Sequence, residues 1–584
     1  MSERKVYVAD FETRNSDYDI AIKETSVWLW DICDIETLEH VTGDNIDTFM
    51  EHISKLGNVV IYFHNFDGFD SEFVMYWVLT HKYRFKVSNK LKSKEYTALI
   101  DDFAGIYNIT ICFDDGRRKH KGKNVVEFRD SKRKIPERVE KIAESYKLPI
   151  KKGEIDYRAQ RGEGYKATQE EIEYIHNDTE IVARVLKLQY EKGMEHITSA
   201  SDTFSMYKGV CAGAYKSFFP ELPKDVDDFI RDSYIGGISY VNPKYQNRVI
   251  EGKVRVYDVN SMYPYQMCTE MLPYFYPVYE VGKIEGTKVR PLFIQRIRVS
   301  CGLKKGHMPS IILRKDIYSV ESVFLMSTFD DRKYKGKNSY ELDEQNGSMI
   351  ELTLTNIDLE LLFENYEIYE IEYIDGYSFM GSRNLFKDYI MPLYDMKSKL
   401  QKGAERELIK LQINSLYGKF GTKTHHIRQQ PFLIDGIVRY GNLMSEEGKP
   451  VYTAVASFIT AYARKQLFSV INAHLDTFVY CDTDSCHLFN DTLPEAIVDG
   501  KRIGAWDLEK TYTKSKYLKQ KAYMGEREDG KVDIKLAGCP EGSKAYFNFD
   551  NFKFGSSVRG KLLPMHVKGG IVLVDTLFTI KDKI

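Results

Sequence analysis

Two aspartates, Asp482 and Asp484, lie one residue apart in the apolar segment VYCDTDSCHL at residues 479–488. Three interpretations compete for them: a surface turn, a zinc or redox site built on Cys481 and Cys486, or carboxylates that hold magnesium. A surface turn does not explain the apolar, strand-like residues on either side. A zinc site lacks two further ligands at suitable spacing. The segment therefore favours metal-binding carboxylates, with the two thiols packed inside a sheet.

A third carboxylate, Asp258, stands in the strand-like segment RVYDVNSMYP, far from Asp484 along the chain. The two can meet only if their strands are neighbours in one sheet. Carboxylates gathered in this way need a counter-charge, because unpaired charges are costly to bury. Two divalent metal ions would supply it, and they would activate an attacking hydroxyl and stabilise a pentavalent phosphate. These acids therefore predict chemistry on a phosphate ester.

A separate group of acids lies in the first 180 residues. Asp10 and Glu12 alternate along the strand-like segment KVYVADFE, so both side chains leave the same face. Asp70 in NFDGFDSEF and Asp178 in YIHND extend the set to four oxygen donors, which suit magnesium or manganese better than zinc. On a helix, Tyr174 would lie beside Asp178 and could orient a water.

The segment KLQINSLYGKF at residues 410–420 lies between the two aspartate motifs of the second half. Lys410, Asn414 and Tyr417 fall on one face of a helix through this segment. A lysine, an amide and a phenol in one stripe suit a triphosphate, a base and a sugar. An ordinary amphipathic helix is the alternative, but the position between the aspartates favours nucleotide binding.

Periodicity and turn residues predict the elements that position these groups. A second strand is predicted at NVVIYFHN and a helix at residues 167–190. A composition break at about residues 193–202 is the candidate boundary to a second domain. That domain is expected to contain a polar inserted subdomain at about 280–380 and a hairpin within 421–450.

The 584-residue chain is too long for one hydrophobic core, so several domains are expected. It has no apolar run of the roughly 20 residues that span a membrane, and its eight cysteines form no CxxC pair. We therefore expect a cytosolic protein with free thiols and no membrane partner. A net charge of −2 argues mildly against nucleic acid. Basic segments at 117–123, 131–134 and 510–521 nevertheless allow a phosphate-binding track.

In this order, DFET, HNFDGFD and YxxxD resemble the three motifs of the 3′–5′ exonuclease domain of proofreading DNA polymerases. With YIGG, YDVNSMYP, KLQINSLYGKF, YCDTDS and QKAY, they resemble the protein-primed family B DNA polymerases of small tailed bacteriophages over nearly the whole chain. The resemblance implies an α/β multidomain protein, with a ribonuclease H-like exonuclease domain at 1–198 and a right-hand polymerase domain at 199–584. Within the latter it implies a palm at about 199–279 and 451–536, a first insertion at about 280–380, fingers at about 381–420, a second insertion at about 421–450 and a thumb at about 537–584.

For the exonuclease domain, the resemblance implies that metal ions are bound by Asp10, Glu12, Asp70 and Asp178, with Glu154 at a further acidic position of the family. Asp67 is the alternative to Asp70. Tyr174 and Lys152 would assist attack on the terminal phosphodiester. The resemblance further implies that the frayed primer end is held by Thr13, His64, Asn65, Phe73, Ser131 and Tyr157.

For the polymerase domain, the resemblance implies that Asp258, Asp484 and the Val259 carbonyl bind both metal ions, with Asp482 in support. Tyr263 would lie under the deoxyribose, and Lys410, Arg406 and Lys397 would neutralise the triphosphate, beside Asn414 and Tyr417. The implied DNA contacts are Tyr234, Gly236 and Gly237 between the domains, and Lys521 and Tyr523 on the primer strand.

The resemblance therefore implies a DNA-directed DNA polymerase with proofreading, which copies a linear phage genome by processive, strand-displacing synthesis. Its expected cofactor is Mg²⁺, two ions per active site, with Mn²⁺ able to replace it. The expected partners are template and primer DNA, deoxynucleoside triphosphates and a terminal protein that supplies the priming hydroxyl. We expect a monomer in the cytoplasm of an infected bacterium. The alternative is a non-catalytic nucleic-acid-binding protein of polymerase descent; a stand-alone nuclease would leave the lysine and tyrosine stripe unexplained.

Overall fold

Two β-sheets, one in each half of the chain, lie beneath the two groups of acids singled out in the sequence; the first sheet is mixed and the second is antiparallel. The computed structural model describes residues 4–582 apart from 89, 114–123, 316–317, 322–323, 326–348 and 450. The basic segment 117–123 and part of the insertion predicted at 280–380 lie outside the described residues. Within the described part, no helix combines the length and the apolar character needed to cross a membrane.

Eight strands form the amino-terminal sheet: β1 (Lys5–Thr13), β2 (Val27–Asp34), β3 (His40–Gly43), β4 (Val59–Phe63), β5 (Arg84–Phe85), β6 (Glu95–Ile100), β7 (Ile106–Cys112) and β8 (Val125–Asp130). Their spatial order is β3-β2-β1-β4-β8-β7-β6-β5. The middle strands β1, β4 and β8 run parallel, and β2 is antiparallel to β1. Five helices accompany the sheet: α1 (Asp17–Ile22), α2 (Ile46–Ile53), α3 (Asp70–Thr80), α4 (Val139–Ser145) and α5 (Gln169–Glu191).

Both faces of this sheet are covered, which explains why β1 and β4 are apolar on both sides. On one face Ala9 and Phe11 pack in a core with α2 and α3. On the other face Val6 and Val8 pack against α5. A reciprocal capping box between Thr168 and Glu171 starts the helix α5. This helix confirms the one predicted at 167–190. Because Asp10 and Glu12 continue the row of Val8, their side chains face α5.

The second half begins with three helices and continues into a seven-stranded central sheet with the inserted elements between its strands. Its elements are α6 (Ser199–Val210), α7 (Tyr215–Phe218), α8 (Lys224–Asp232), β9 (Ser239–Val241), β10 (Val249–Val259), α9 (Met262–Thr269), β11 (Leu272–Val281), β12 (Leu292–Leu303), β13 (Ile312–Lys315), β14 (Tyr318–Glu321), β15 (Phe324–Leu325), β16 (Ile350–Thr355), α10 (Asn356–Asn365), β17 (Tyr366–Ser382), α11 (Lys387–Lys399), α12 (Ala404–Asn414), α13 (Leu416–Phe420), β18 (His425–Ile434), β19 (Ile437–Glu447), α14 (Ala454–Ala473), β20 (Phe478–Asp482), β21 (Ser485–Phe489), β22 (Trp506–Lys519), β23 (Ala522–Arg527), β24 (Val532–Leu536), α15 (Glu541–Lys544), β25 (Ser557–Val567) and β26 (Gly570–Thr579).

The central sheet has the order β24-β23-β22-β10-β21-β20-β9. Its strands β10 and β21 are antiparallel neighbours, which confirms that the Asp258 and Asp484 motifs meet in one sheet. The long helix α14 is buried along most of its length between two parts of the core. A separate sheet of β11, β12, β15, β16 and β17 lies at the first predicted insertion, and β18–β19 form the hairpin predicted within 421–450.

Three predicted elements differ from the structure. The segment around Asp482 and Asp484 is not one strand but a hairpin, in which β20 and β21 flank a tight turn at Thr483 and Asp484. The helix predicted through 410–420 is interrupted at Ser415, so Tyr417 lies on a second short helix that begins at Leu416. In YIGGISYVN only Ser239–Val241 forms a strand.

Candidate active sites

Four acids from three elements meet in a cavity of about 540 Å³ in the amino-terminal half. Asp10 and Glu12 come from β1, Asp70 is the first residue of α3, and Asp178 lies on α5. We call these four residues the first acidic cluster. Asp70 and Asp178 are 3% and 7% exposed, so their carboxylates are almost fully removed from water.

Burial and mutual repulsion make this cluster costly to ionise. Burial, followed by the charge of Asp178, raises the pKa of Asp10 to about 7. Burial also raises the pKa of Glu12 and of Asp70 well above the usual range, and the nearby Asp10 carboxylate adds to both shifts. Carboxyls with such pKa values in a cavity are typical of a functional site.

A lysine and two tyrosines line the same cavity. The Lys152 ammonium forms an ion pair with Asp178 and donates a hydrogen bond of 3.0 Å to the Tyr174 hydroxyl. The Tyr157 hydroxyl lies 2.7 Å from that of Tyr174. The predicted side-by-side placement of Tyr174 and Asp178 is therefore confirmed, and Lys152 joins them.

The donor set of the first acidic cluster fits a divalent cation. One carboxylate oxygen of Asp70 and one of Asp178 are buried and accept no hydrogen bond. Such orphaned oxygens are expensive unless a cation or donor meets them. All four protein donors are carboxylates, the hard oxygen ligands that magnesium and manganese prefer.

The structure separates Asp70 from its alternative, Asp67. Asp67 lies outside the cavity, where its carboxylate accepts hydrogen bonds from the Ile106 amide at 2.5 Å and from Arg133 at 3.0 Å. Asp70 lines the cavity beside Asp10. The choice of Asp70 for the first acidic cluster agrees with this placement.

The second acidic cluster consists of Asp258, Asp482 and Asp484 on the central sheet. Asp258 pairs with Ser485 across β10 and β21, and the Val259 amide donates a hydrogen bond of 2.9 Å to the Asp484 carbonyl. The turn at Thr483 and Asp484 thus sets Asp484 directly beside the end of β10. The predicted pairing of strands from distant parts of the chain creates this cluster.

Repulsion between acids also governs the second cluster. Burial, then Asp484, raises the pKa of Asp258 to about 7. Two further acids on β22, Glu509 and Asp507, contribute to this shift, and neither is among the residues predicted from the sequence. Asp507 lies opposite Asp258 in the strand register. Glu509 lies two residues further along β22, on the same face of the strand. Asp507 and Glu509 repeat the alternation of Asp10 and Glu12, so the segment WDLEK could have indicated them, and the pairing of β22 with β10 places them beside Asp258.

Asp482 differs from the other two acids because it has a cationic partner. The Lys521 ammonium donates to both Asp482 carboxylate oxygens at 2.8 Å. Asp482 thus fixes the position of a lysine beside the cluster, and its supporting role stays a prediction.

Three cations gather beside the second acidic cluster. Lys397 on α11 contacts the Ser261 hydroxyl at 3.3 Å, next to the end of β10. Burial, followed by the positive charges of Arg406 and Lys410, lowers the pKa of Lys397. Lys410 and Asn414 are exposed on α12, and the Lys410 ammonium is 3.2 Å from Glu407. This concentration of positive charge suits an anionic substrate such as a triphosphate.

A stack of tyrosines joins α9, α13 and the segment before β9. The rings of Tyr263 and Tyr417 are parallel-stacked with centroids 4.4 Å apart, and the Tyr417 hydroxyl lies 3.1 Å from that of Tyr234. The break at Ser415 moves Tyr417 off the predicted stripe and onto this stack. The structure therefore places Tyr263 and Tyr417 together rather than Tyr417 with Lys410.

The YIGG segment lies against the turn of the second acidic cluster. The buried Arg464 donates to the carbonyls of Ile235 and Gly236 at 2.7 Å. A Cβ at Gly237 would lie 2.8 Å from Thr483, so a side chain there would displace the turn that carries Asp484.

The chain matches the family model described as DNA polymerase type B, organellar and viral, over residues 51–503. The chain belongs to the type B DNA polymerases. It is 38% identical to the DNA polymerase of Bacillus phage Nf and 36% identical to that of Bacillus phage phi29, over 99% of this chain and 100% and 99% of theirs. It is 31% identical to the DNA polymerase of Streptococcus phage Cp-1, over 99% of this chain and 98% of that one.

Solved structures give the same result for the fold. The phi29 DNA polymerase complexed with primer-template DNA has a TM-score of 0.88 at 34% identity, over 99% of this chain and 100% of that one. The phi29 ternary complex with primer-template DNA and incoming nucleotide substrates has a TM-score of 0.87 at 35% identity, with the same coverage. The chain is thus a DNA-directed DNA polymerase with the multi-sheet α/β architecture of family B.

Several strand contacts inferred from the polymerase family lie at the first cavity. Thr13, His64, Asn65 and Tyr157 line it. The His64 ring is fixed by the Ser131 hydroxyl at 2.9 Å and by a backbone carbonyl at 2.7 Å. These four residues are therefore placed where a strand end entering the cavity would meet them.

Other inferred contacts of the polymerase are not at a surface. Phe73 and Ser131 are 1% and 0% exposed, so neither side chain is at the surface in this structure, and the DNA contact predicted for both stays a prediction. Ser131 instead holds His64, and Phe73 packs in the core. Tyr523 is 8% exposed and packs among Tyr480 and Tyr517, while the exposed Glu154 is not among the residues lining the cavity.

The polymerase also closes the first cavity with residues that the sequence did not indicate. Leu562, Pro564 and Leu573 of the carboxy-terminal hairpin β25–β26 line it. The Leu573 amide donates to the Asn15 side chain at 2.7 Å, and Asn15 also lines the cavity. This contact joins the two ends of the chain, so no local sequence pattern could predict it.

Proposed function

We propose that this polymerase joins deoxynucleotides at the second acidic cluster and removes terminal nucleotides, in the 3′–5′ direction, at the first. The observation that carries the proposal is the pair of separate carboxylate groups in which burial and mutual repulsion raise the pKa of Asp10 and of Asp258 to about 7. The phi29 polymerase structures that the chain resembles hold primer-template DNA and, in one case, incoming nucleotides. We propose the same partners here.

We expect two magnesium ions at each acidic cluster, with manganese able to replace them. Asp258, Asp484 and the Val259 carbonyl would hold the ions at the second cluster, and Asp10, Glu12, Asp70 and Asp178 those at the first. When bound, these ions supply counter-charge, activation of the attacking oxygen and stabilisation of charge on the phosphate.

During nucleotide addition, Lys397, Arg406 and Lys410 would attract and neutralise the triphosphate. The stacked Tyr263 and Tyr417 rings would form a flat surface under the sugar, where a 2′-hydroxyl would clash. Asp482 would hold the Lys521 ammonium in position to contact the primer strand. The proposed division of roles therefore assigns charge neutralisation to α11 and α12 and sugar selection to the tyrosine stack.

During removal of a nucleotide, Lys152 and Tyr174 would orient the attacking water beside Asp178. Their hydrogen bond of 3.0 Å already fixes the two groups relative to each other. His64, Asn65 and Thr13 would hold the frayed strand end. We accordingly assign residues 1–198 to an exonuclease domain and 199–584 to a polymerase domain, because α5 ends at Glu191 and α6 begins at Ser199.

A rolling-circle assay tests the polymerase part of the proposal. Purified protein is given a primed single-stranded circle, magnesium and all four deoxynucleoside triphosphates. We expect products longer than one circle with the wild-type protein and none with Asp484→Ala. No incorporation by a folded wild-type protein would leave a non-catalytic DNA-binding protein, whereas products of one circle length would remove only strand displacement.

We further propose that synthesis is primed by a hydroxyl of a terminal protein, for replication of a linear phage genome in the bacterial cytoplasm. The support is the similarity to phage polymerases and the two inserted regions, the sheet of β11–β17 and the hairpin β18–β19. The test is transfer of a labelled nucleotide to purified terminal protein in the absence of a DNA primer. Label on the terminal protein with the wild-type protein, and not with Asp484→Ala, is the expected result.

A further inference from the structure

Outside both acidic clusters, one carboxylate and two imidazoles meet on the amino-terminal sheet. Asp31 on β2, His40 on β3 and His176 on α5 can each offer one ligand atom, and these atoms all lie within 4.8 Å of one another. Across the described ranges of the chain, no other three His, Cys, Asp or Glu side chains meet this condition. The proposed polymerase and exonuclease reactions do not use this group.

The separations between the ligand atoms suit a small metal ion. The Asp31 carboxylate lies 2.8 Å from Nδ1 of His40 and 3.4 Å from Nε2 of His176. Ligands around a tetrahedral zinc ion, with bonds of about 2.0–2.2 Å, are about 3.4 Å apart. The contact with His176 already has this spacing, whereas Nδ1 of His40 is at hydrogen-bond distance from Asp31 and would move slightly away on metal binding. The two imidazoles are stacked with centroids 4.1 Å apart, so both face the same carboxylate.

One oxygen of the buried Asp31 carboxylate accepts no hydrogen bond. The Asp31 side chain is 0% exposed, and its Oδ1 atom, which faces His176, is the oxygen without a donor. The other oxygen, Oδ2, accepts a hydrogen bond of 2.6 Å from Thr179. An oxygen buried in this way without a donor is costly, and a bound cation would remove that cost.

The surrounding groups resemble the outer shell of a metal site. Nε2 of His40 points toward Glu180 at 3.8 Å, and Arg184 holds Glu180 by a hydrogen bond of 2.7 Å. Histidine ligands of metal ions usually donate their second ring N–H to a carboxylate, and Glu180 is the carboxylate nearest to Nε2 of His40, at ion-pair distance and not yet at hydrogen-bond distance. Thr179 performs the equivalent role for Asp31, and the Thr42 hydroxyl, 3.3 Å from Nε2 of His176, is the contact that a metal would displace.

We propose that Asp31, His40 and His176 bind a divalent transition-metal ion, with zinc as the ion to test, at a third site distinct from both acidic clusters. Two imidazoles and one carboxylate favour zinc and its neighbours over magnesium, which prefers oxygen ligands alone. Three protein ligands leave a fourth position for water.

The site would join elements that carry the first acidic cluster. Asp31 lies directly opposite Asp10 in the register of β1 and β2, and His176 lies between Tyr174 and Asp178 on α5. An ion at this site would therefore fix β2 and β3 to α5 beside Asp10 and Asp178 of the first acidic cluster. Its role is to position those elements, and it makes no contact with the DNA strand.

Zinc content tests the proposal. The full-length protein is stripped with EDTA, dialysed against trace zinc in excess magnesium so that the acidic clusters remain occupied, and analysed by mass spectrometry for metal. We expect wild-type protein to retain one more equivalent of zinc than His40→Gln/His176→Gln. Loss of outer-shell partners alone lowers metal affinity by about 10–100-fold, so loss of two ligands should cost at least this much. Added zinc should raise the Tm of the wild type only.

Three further variants separate the possible outcomes. His474→Gln removes a histidine that pairs with a single aspartate, Asp491, at 2.7 Å, and it should keep the extra zinc. Asp10→Ala/Asp70→Ala should also keep it, and its loss there would place the zinc in the first acidic cluster and refute the proposal. Equal zinc content in wild type and the double histidine variant would also refute it. If that variant does not fold, His176→Gln, whose side chain is 29% exposed, should show the same loss in weaker form.

Discussion

The two acidic clusters solve the same electrostatic problem in different ways. In the first cluster, a lysine binds one of the proposed metal ligands directly, because Lys152 pairs with Asp178. In the second, the cluster lysine binds the supporting acid, since Lys521 pairs with Asp482. The first cluster also contains buried oxygens without a hydrogen bond, on Asp70 and Asp178, whereas none of the acids of the second cluster has one.

The two clusters also differ in how far their carboxylates are removed from water. The first cluster is enclosed by three elements and by the distant hairpin β25–β26, and three of its four acids, Glu12, Asp70 and Asp178, are buried. The second cluster lies at the edge of a hairpin turn, and all three of its acids remain partly exposed. We therefore expect the first cluster to depend more strongly on its counter-ions for stability.

The largest expected effect separates the two clusters by activity. Asp10→Ala with Asp70→Ala should reduce primer degradation by at least about 1000-fold, because the loss of two ligands removes more than about 4 kcal/mol of transition-state stabilisation. Primer extension should stay within about twofold of wild type, since Asp258 and Asp484 lie on another sheet. Degradation and extension are measured on the same end-labelled primer.

Asp67→Asn is the matched control for that double variant. It removes an acid of the same NFDGFD motif that lies outside the cavity, so degradation should persist. Complete loss of degradation with Asp67→Asn would contradict the assignment of Asp70 to the cluster. Loss of both activities in a folded Asp10→Ala/Asp70→Ala protein would contradict two separate sites.

The second largest effect concerns the lysine of the first cluster. Lys152→Met should lower degradation by about 100-fold, because Tyr174 and Asp178 lose the group that orients them. Extension should be unaffected. Lys166→Met, at a lysine whose side chain is 82% exposed, is the control and should leave both activities intact. Equal degradation rates for the two variants would show that Lys152 has no such role.

Stability in the absence of metal gives a third comparison. Asp70→Asn should raise the free energy of unfolding in EDTA by about 1–3 kcal/mol, because it removes a buried charge. Asp484→Asn should change it less. Burial raises the pKa of Asp70, so the wild-type protein loses stability as pH rises above the usual carboxyl range. The gain in free energy of unfolding from Asp70→Asn should therefore be larger at pH 8 than at pH 5. Urea unfolding at both pH values measures it, and a destabilised Asp70→Asn protein would contradict this view of the cluster.

The smallest effect concerns the supporting pair of the second cluster. Asp482→Asn and Lys521→Met should each lower the extension rate by about tenfold, because each removes one half of an ion pair rather than a proposed metal ligand. The double variant should be little worse than either single variant, since the two residues act together. Strictly additive losses in single-turnover extension would mean that Asp482 binds metal independently of Lys521.

The sequence predicted the local parts of both sites. The alternation of Asp10 and Glu12, the helical spacing of Tyr174 and Asp178, and the hairpin within 421–450 follow from short-range periodicity, and the structure confirms them. The shared sheet of Asp258 and Asp484 followed from their charge, because two such acids in strands need a common partner.

What could not be predicted depends on tertiary contacts. Ser415 carries no strong helix-breaking signal, yet the helix ends there and redirects Tyr417 to Tyr263. Phe73 and Ser131 occupy motif positions but are buried by packing that periodicity does not describe. Asp507 and Glu509 enter the second site only through the register of β22 with β10.

The carboxy-terminal hairpin determines when the first cavity can be completed during translation. Gly569 and Gly570 approach Thr25 and Phe73 so closely that a Cβ at either position would clash, and this fit seats the hairpin on the amino-terminal domain. The wall formed by Leu562, Pro564 and Leu573 therefore leaves the ribosome long after the acids that it covers. We therefore expect the first cavity to stay open until this hairpin has been made, and a polymerase truncated before the hairpin to lack this wall of the cavity.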